Sequence, residues 1–216
     1  MNTTVDPKLV KAESEAQIKS RGGQICDWLP WLDHNTPREK EAVCNRALCM
    51  HAMIQIAFGA PRPVIRAWLE RNRLLHALSS REQKVLESPE ADLDPQTNSD
   101  LHWYIEAVWA LVWVGSFIPD LEVTEPVGSN LASLLPDLRV NETGDAFRSR
   151  FELRPFSEVF RALDLYYRAH WYSRNGQLNG YSTAPFDLDR IMERRKALEW
   201  VSDVAIPDWD ETPTDT

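Results

Sequence analysis

A single carboxylate, Glu106, stands in an otherwise apolar stretch, LHWYIEAVWALVWVGSFI, over residues 101–118. Taken out of water, an ionised carboxylate must be paired or must give up its charge. Two chemistries follow. One is a structural ion pair with an arginine from another helix; the other is a general acid or base with a raised pKa. His102 precedes Glu106 by four residues, the spacing that sets two metal ligands on one helical face, although a lone pair of ligands is weak ground for a metal.

Helical patterning turns further polar residues inward. On the helix predicted over 155–175, His170 and Arg174 fall in the middle of an arc formed by Phe156, Val159, Phe160, Leu163, Tyr166, Tyr167 and Trp171. Asp164 and Arg168 make a favourable i, i+4 pair on the narrow polar strip beside it. On the last helix, Arg195 falls inside the stripe of Leu188, Ile191, Met192, Leu198 and Val201. Unless Arg174 snorkels at its helix end it needs an acceptor, and Glu106 is the obvious one. Glu106, His170, Arg174 and Arg195, with His102, Asp164 and Arg168 at the margin, then read in two ways. They form an ion-pair network locking three helices together, or a charged floor for a small acidic ligand, because guanidinium groups grip carboxylates and phosphates bidentately.

Other chemistry finds no footing. No serine, cysteine or threonine stands in a recognisable nucleophile setting. With eight glycines in the chain, neither a phosphate-cradling loop nor a GxGxxG turn is found, and no cofactor is expected. His51 and Cys44 sit on the apolar side of the helix over 37–58 and read as a satisfied core histidine and an inert core thiol. Arg62, Arg66, Arg71 and Arg73 make one locally basic segment. It lacks interleaved aromatics and reads as a solvated face rather than a phosphate track.

The elements that must position these groups are helices. Apolar side chains of the 101–118 stretch point in every direction on the wheel, so it must be wrapped by other helices. A membrane span is excluded, because the uninterrupted apolar run after Glu106 is about a dozen residues against the roughly 20 a bilayer needs. A helix is predicted over 7–20, and CDWLPWLD at 26–33 is an aromatic loop docking on the body. Thr36, Pro37 and Glu39 read as a capping box that opens the helix over 37–58. Pro61 and Pro63 open a shorter helix, and Ser79 and Glu82 form a second capping box. An acidic loop over 88–98 leads into the central helix. Short helices are expected near 127–135 and 145–151, the latter equally readable as a surface loop. Gly176 stops the long helix, Asp187 caps the last one, and the tail IPDWDETPTDT lies extended with Trp209 as its anchor. The expected fold is a single all-α domain, an irregular bundle of about seven to nine helices around a central buried helix near 101–118. Helices over 37–58 and 155–175 complete its core. Residues 1–36 supply an N-terminal helix and docking loop, 37–203 the core, and 204–216 the tail.

A chain of 216 residues with net charge −9 argues against a nucleic-acid or anionic-membrane partner and for a basic protein partner. Three cysteines without a CxxC motif, and a start with no apolar leader segment, point to a reduced cytoplasmic compartment.

The pieces WLERNRLLHALSSRE (68–82), EAVWALVWVG (106–115), RPFSEVFRALDLYYRAHW (154–171), ERRKALEW (193–200) and DWDETPTDT (208–216) together resemble a bacterial family known only as domain of unknown function 4272. The likeness runs from residue 38 onward. It puts Glu106, Trp109, Trp113, Asp164, Tyr167, Arg168, His170, Trp171, Arg195 and Trp200 in the family's recurrent motifs, and implies a bacterial soluble protein without implying a reaction. The expectation is a non-catalytic binding or interaction protein, immunity-like or an adaptor. The alternative is a small-molecule binder or enzyme acting on an anionic substrate, with Arg168, Arg174 or Arg195 as clamps and Glu106 or His170 as proton carrier.

Overall fold

The central helix begins earlier and ends sooner than its apolar run. Asp94 accepts from the Thr97 amide at 2.9 Å, Pro95 fills the first position, and the helix runs Pro95–Val114. Its first turns, Pro95 to Asp100, are polar and reach the surface, while Ala107, Val108, Ala110, Leu111, Val112 and Val114 are fully buried. Ser116, at φ 61°, turns the chain out of the helix before Ile118.

A computed structural model describes residues 5–88 and 93–215; part of the predicted acidic loop lies outside them. Among the described residues there are nine α-helices: α1 (Pro7–Ser20), α2 (Lys40–Ala57), α3 (Arg62–Arg71), α4 (Ser80–Glu87), α5 (Pro95–Val114), α6 (Leu131–Leu134), α7 (Asp145–Arg150), α8 (Phe156–Asn179) and α9 (Leu188–Ser202). This is the all-α, single-domain bundle around a central helix that the patterning requires. None of its helices is long and apolar enough to cross a membrane.

The layers differ from expectation in one respect. α5 packs between α2 and α9, and α8 packs on the far side of α9 with α1 outside it. The neighbour of α5 is therefore α9, rather than the longer and more aromatic α8. α9 can take the interior place because Ile191, Ala197 and Leu198 are all fully buried, and so is Arg194 among them. α1 adds a small apolar cluster of Val5, Val10 and Phe160 against α8.

Two helix ends fall elsewhere than their local signals indicate. α2 starts at Lys40, not at Pro37. The Thr36 carbonyl accepts from the Val204 amide at 2.8 Å and the Arg38 amide donates to the Val201 carbonyl at 2.9 Å, so residues 36–38 are held extended against the end of α9. α8 runs through Gly176 and stops at Gly180, which is left-handed at φ 72°. Gly176 serves close approach instead, since a Cβ there would meet Thr183 Cγ2 at 2.2 Å. The aromatic loop docks through Cys26 and Leu29, while the indoles of Trp28 and Trp31 face outward, 75% and 47% exposed.

The tail is part of the body. Trp209 is buried, edge-on to Trp200 and Tyr104 at 6.1 and 6.3 Å between ring centres. Asp208 accepts from the Ser80 amide and hydroxyl at 3.0 and 2.7 Å, and Asp210 from the Arg81 amide at 2.7 Å. Two tail carboxylates thus cap α4, in addition to the Ser79–Glu82 capping box.

Candidate functional site

Glu106 is answered by a guanidinium, but not by Arg174. Arg194 on α9 donates from Nε to Glu106 Oε2 at 2.8 Å, and its Nη2 lies 2.6 Å from the same oxygen. Its other donors reach the Glu122 carbonyl at 2.8 Å, the Tyr166 hydroxyl at 3.2 Å and the Glu125 carbonyl at 3.0 Å. Four of the five guanidinium N–H donors thus make hydrogen bonds and Nη2 also contacts the Glu106 carboxylate, so a fully buried charge is well answered by protein. Arg190 Nε adds a weaker attraction at 3.7 Å from Oε1. Burial raises the Glu106 pKa, and the two arginines pull it back only in part. The signal for Arg194 was present: Ile191, Arg194, Leu198 and Val201 repeat at helical spacing on one stripe.

The other predicted residues are real pairs in separate places. Asp164 and Arg168 form a bidentate pair, 2.8 Å at both contacts, and Arg168 also donates to the Pro30 carbonyl at 2.9 Å, fastening the aromatic loop. His170 Nδ1 accepts from Arg195 Nη1 at 2.8 Å. Burial, then the charges of Arg195 and Arg174, push the His170 pKa down to about 4, which keeps the ring neutral. Arg195 stacks over Tyr167 at 4.8 Å and lies 4.0 Å from Glu199. Arg174 is exposed and bonds Gln177 on its own helix. His102 donates from Nδ1 to the Asn98 carbonyl at 2.7 Å. Among the described residues no group of three or more His, Cys, Asp or Glu side chains is placed to hold a metal ion.

A further buried pair lies outside the residues predicted to turn inward. Arg46 on α2, 2% exposed, pairs with Glu82 on α4, which is fully enclosed and also closes the capping box. An arginine inside the apolar run AVCNRALCMHAMI was the available sign. His51 is the satisfied core histidine expected, bonded to the Pro136 carbonyl at 2.9 Å. Burial raises the Cys44 and Cys49 pKa values, to about 11 and 12, so both thiols stay protonated.

The perturbed groups that open to solvent lie elsewhere. A cleft of 340 Å³ runs between the first half of α5 and the exposed face of α9, with Arg81 and Asp210 at one end. Asp189, Glu193 and Lys196 enter it from α9, and Asp100, Trp103 and Tyr104 from α5. Glu193 titrates at about 7: burial raises it, the carboxylates of Asp100, Asp189 and Glu106 add to the rise, and Lys196 opposes. The Lys196 ammonium rests over the Trp209 ring at 4.9 Å, and Arg81 is committed to Asp100. Chemically, such a cleft can hold a cation between carboxylates against an aromatic wall, or exchange a proton near neutral pH.

No curated protein and no solved structure matches the chain. A family match does exist, and it covers residues 10–212. It begins inside α1 rather than at residue 38, so the matched residues take in most of the first helix, the aromatic loop and every buried pair above. The chain belongs to the family described as "Domain of unknown function (DUF4272)".

Proposed function

We propose that this protein is a non-catalytic binding domain whose α5–α9 cleft receives a cationic side chain from a basic protein partner. The observation that carries the reading is Glu193, a carboxyl held at about pH 7 among Asp100 and Asp189, with no ion pair of its own among the described residues. An arriving ammonium or guanidinium would supply the missing counter-charge, and Trp103, 36% exposed on the cleft wall, offers the ring face a cation favours. The net charge of −9 would steer such a partner inward. Three buried free thiols suit a reducing, cytoplasmic setting. The predicted charged residues support the reading from the other side, since each is already answered by a protein group or, like Arg174, lies on the surface.

The test is calorimetric titration with a lysine- and arginine-rich peptide. Binding should weaken with salt, and Glu193→Gln or Trp103→Ala should each reduce affinity about tenfold, the equivalent of about 1.4 kcal/mol. Equal affinity in wild type and both variants would overturn the proposal. A second reading, an acid–base enzyme, has one observation behind it: Glu193 titrates where proton transfer at neutral pH is most effective. A small metabolite that stabilises wild type but not Glu193→Gln against heat, with the peptide inert, would favour it.

A further inference from the structure

A groove along the first half of α2 is lined by basic and amide side chains, and some of the donors in it and beside it lack an acceptor among the described residues. Its main section, 590 Å³, is lined by Arg71, Arg73, His76 and Arg148 with Asn45 and Asn72. Arg148 on α7 donates from Nη2 to the Asn72 carbonyl at 3.1 Å, while its Nη1 is buried without an acceptor. Asn45 is 7% exposed and its amide makes no hydrogen bond among the described residues. In the adjoining section of 250 Å³, which shares Asn45 and His76, Arg46 Nε and Trp209 Nε1 are likewise buried without acceptors. These three nitrogens can only donate. Arg168, Arg190 and Arg195 also carry an unbonded nitrogen, but in each that nitrogen lies within 4.0 Å of a carboxylate. Of the three groove donors only Arg46 has an ion-pair partner among the described residues, Glu82, which it holds through Nη2.

Basic residues are brought here at some backbone cost. Arg73 sits in the left-handed region at φ 57°, a conformation that costs a non-glycine residue about 1 kcal/mol. The segment 62–73 is exposed at Arg66, Arg71 and Arg73, as a solvated face would be; Arg66 pairs with Glu70 away from the groove, and Arg71 and Arg73 line it. Two carboxylates, Glu41 and Asp145, also line it, and Asp145 is engaged by the Thr143 hydroxyl at 2.9 Å.

We infer that this groove binds a small oxyanion-bearing ligand, a phosphate ester or a polycarboxylate, clamped by Arg73 and Arg148. Guanidinium forks match both oxyanions, and the volume falls in the range of about 300–1,000 Å³ in which small-molecule pockets lie. The main section shares no lining residue with the acidic cleft, so the inference stands apart from the basic-partner proposal.

Calorimetric titration of the full chain with pyrophosphate and with citrate, at matched ionic strength, tests it. At least one should bind with Kd below about 1 mM, and Arg73→Gln and Arg148→Gln should each weaken it about tenfold, while Arg66→Gln outside the groove should not. Pyrophosphate alone binding identifies a phosphate ligand, citrate alone a carboxylate, and either supports the inference. Arg73→Gln removes no ion pair and decides the matter if Arg148→Gln does not fold. The inference fails if neither probe saturates below about 10 mM, or if Arg66→Gln weakens binding as much as Arg73→Gln.

Discussion

Arg194 Nε donates to Glu106 Oε2 at 2.8 Å, a charged link between the central helix and the helix beside it. The two partners are not equivalent. Arg194 also holds the Glu122 and Glu125 carbonyls and the Tyr166 hydroxyl, so it ties the 122–125 connection to the core.

Removing the arginine should therefore hurt more than neutralising the acid. Arg194→Met strands a buried carboxylate and two carbonyls, and should cost about 3–5 kcal/mol in urea denaturation. Glu106→Gln keeps a carbonyl oxygen for Arg194 to donate to and should cost about 1–2 kcal/mol. Equal losses would mean that the backbone carbonyls contribute little.

Glu193 sets one pH slope. Its folded pKa of about 7 lies above the ordinary 4.5, so between those values the folded state holds the proton more firmly than the unfolded chain does. The group's contribution is fully present below pH 4.5 and is lost as pH rises toward 7. In an open cleft the loss should be about 1–3 kcal/mol. Glu193→Gln should flatten that part of a stability–pH curve.

His51 and His170 set the opposite slope. Both are pushed down from 6.5 to about 4, chiefly by burial. The unfolded chain takes up these protons first, so stability falls as pH drops from 6.5 to 4, by about 2–3 kcal/mol for each ring. His51→Gln can still donate to the Pro136 carbonyl and should lessen the acid loss, as read by denaturant midpoints at pH 4.5 and 7.

The tail should matter to stability although it ends the chain. Trp209→Ala empties a site enclosed by Trp200, Tyr104, Arg46 and Lys196 and should cost about 3–5 kcal/mol. Asp208→Ala removes a cap from α4 and should cost about 1 kcal/mol. Thermal unfolding of both variants checks the order.

Signals carried by neighbouring residues were read correctly where nothing distant competed. The Ser79–Glu82 capping box forms, and Asp187 caps α9. The Thr36 box does not, because the end of α9 takes the backbone of residues 36–38 first. Gly176 carries the mark of a helix stop, yet packing against Thr183 gives it another use. The acidic cleft was legible only as two unrelated stripes, Asp189, Glu193 and Lys196 on one helix and Asp100 and Trp103 on another.

Periodicity by itself determined the helical class, the central place of the 101–118 stretch, and the inward turn of Glu106, His170 and Arg195; it set Asp164 and Arg168 on a polar strip although both are buried, and Arg174 inward although it is exposed. A helical wheel fixes the direction in which a side chain points, because 100° per residue is a local property of the backbone. It carries nothing about what stands opposite. Only the packing of α9 between α5 and α8 decided that Arg194 answers Glu106 and that Arg195 turns to His170, while Arg174 stays in water. The same packing set Glu193 beside the acids of α5, while the approach of α3 and α7 to α2 gathered Arg71, Arg73 and Arg148 along one groove.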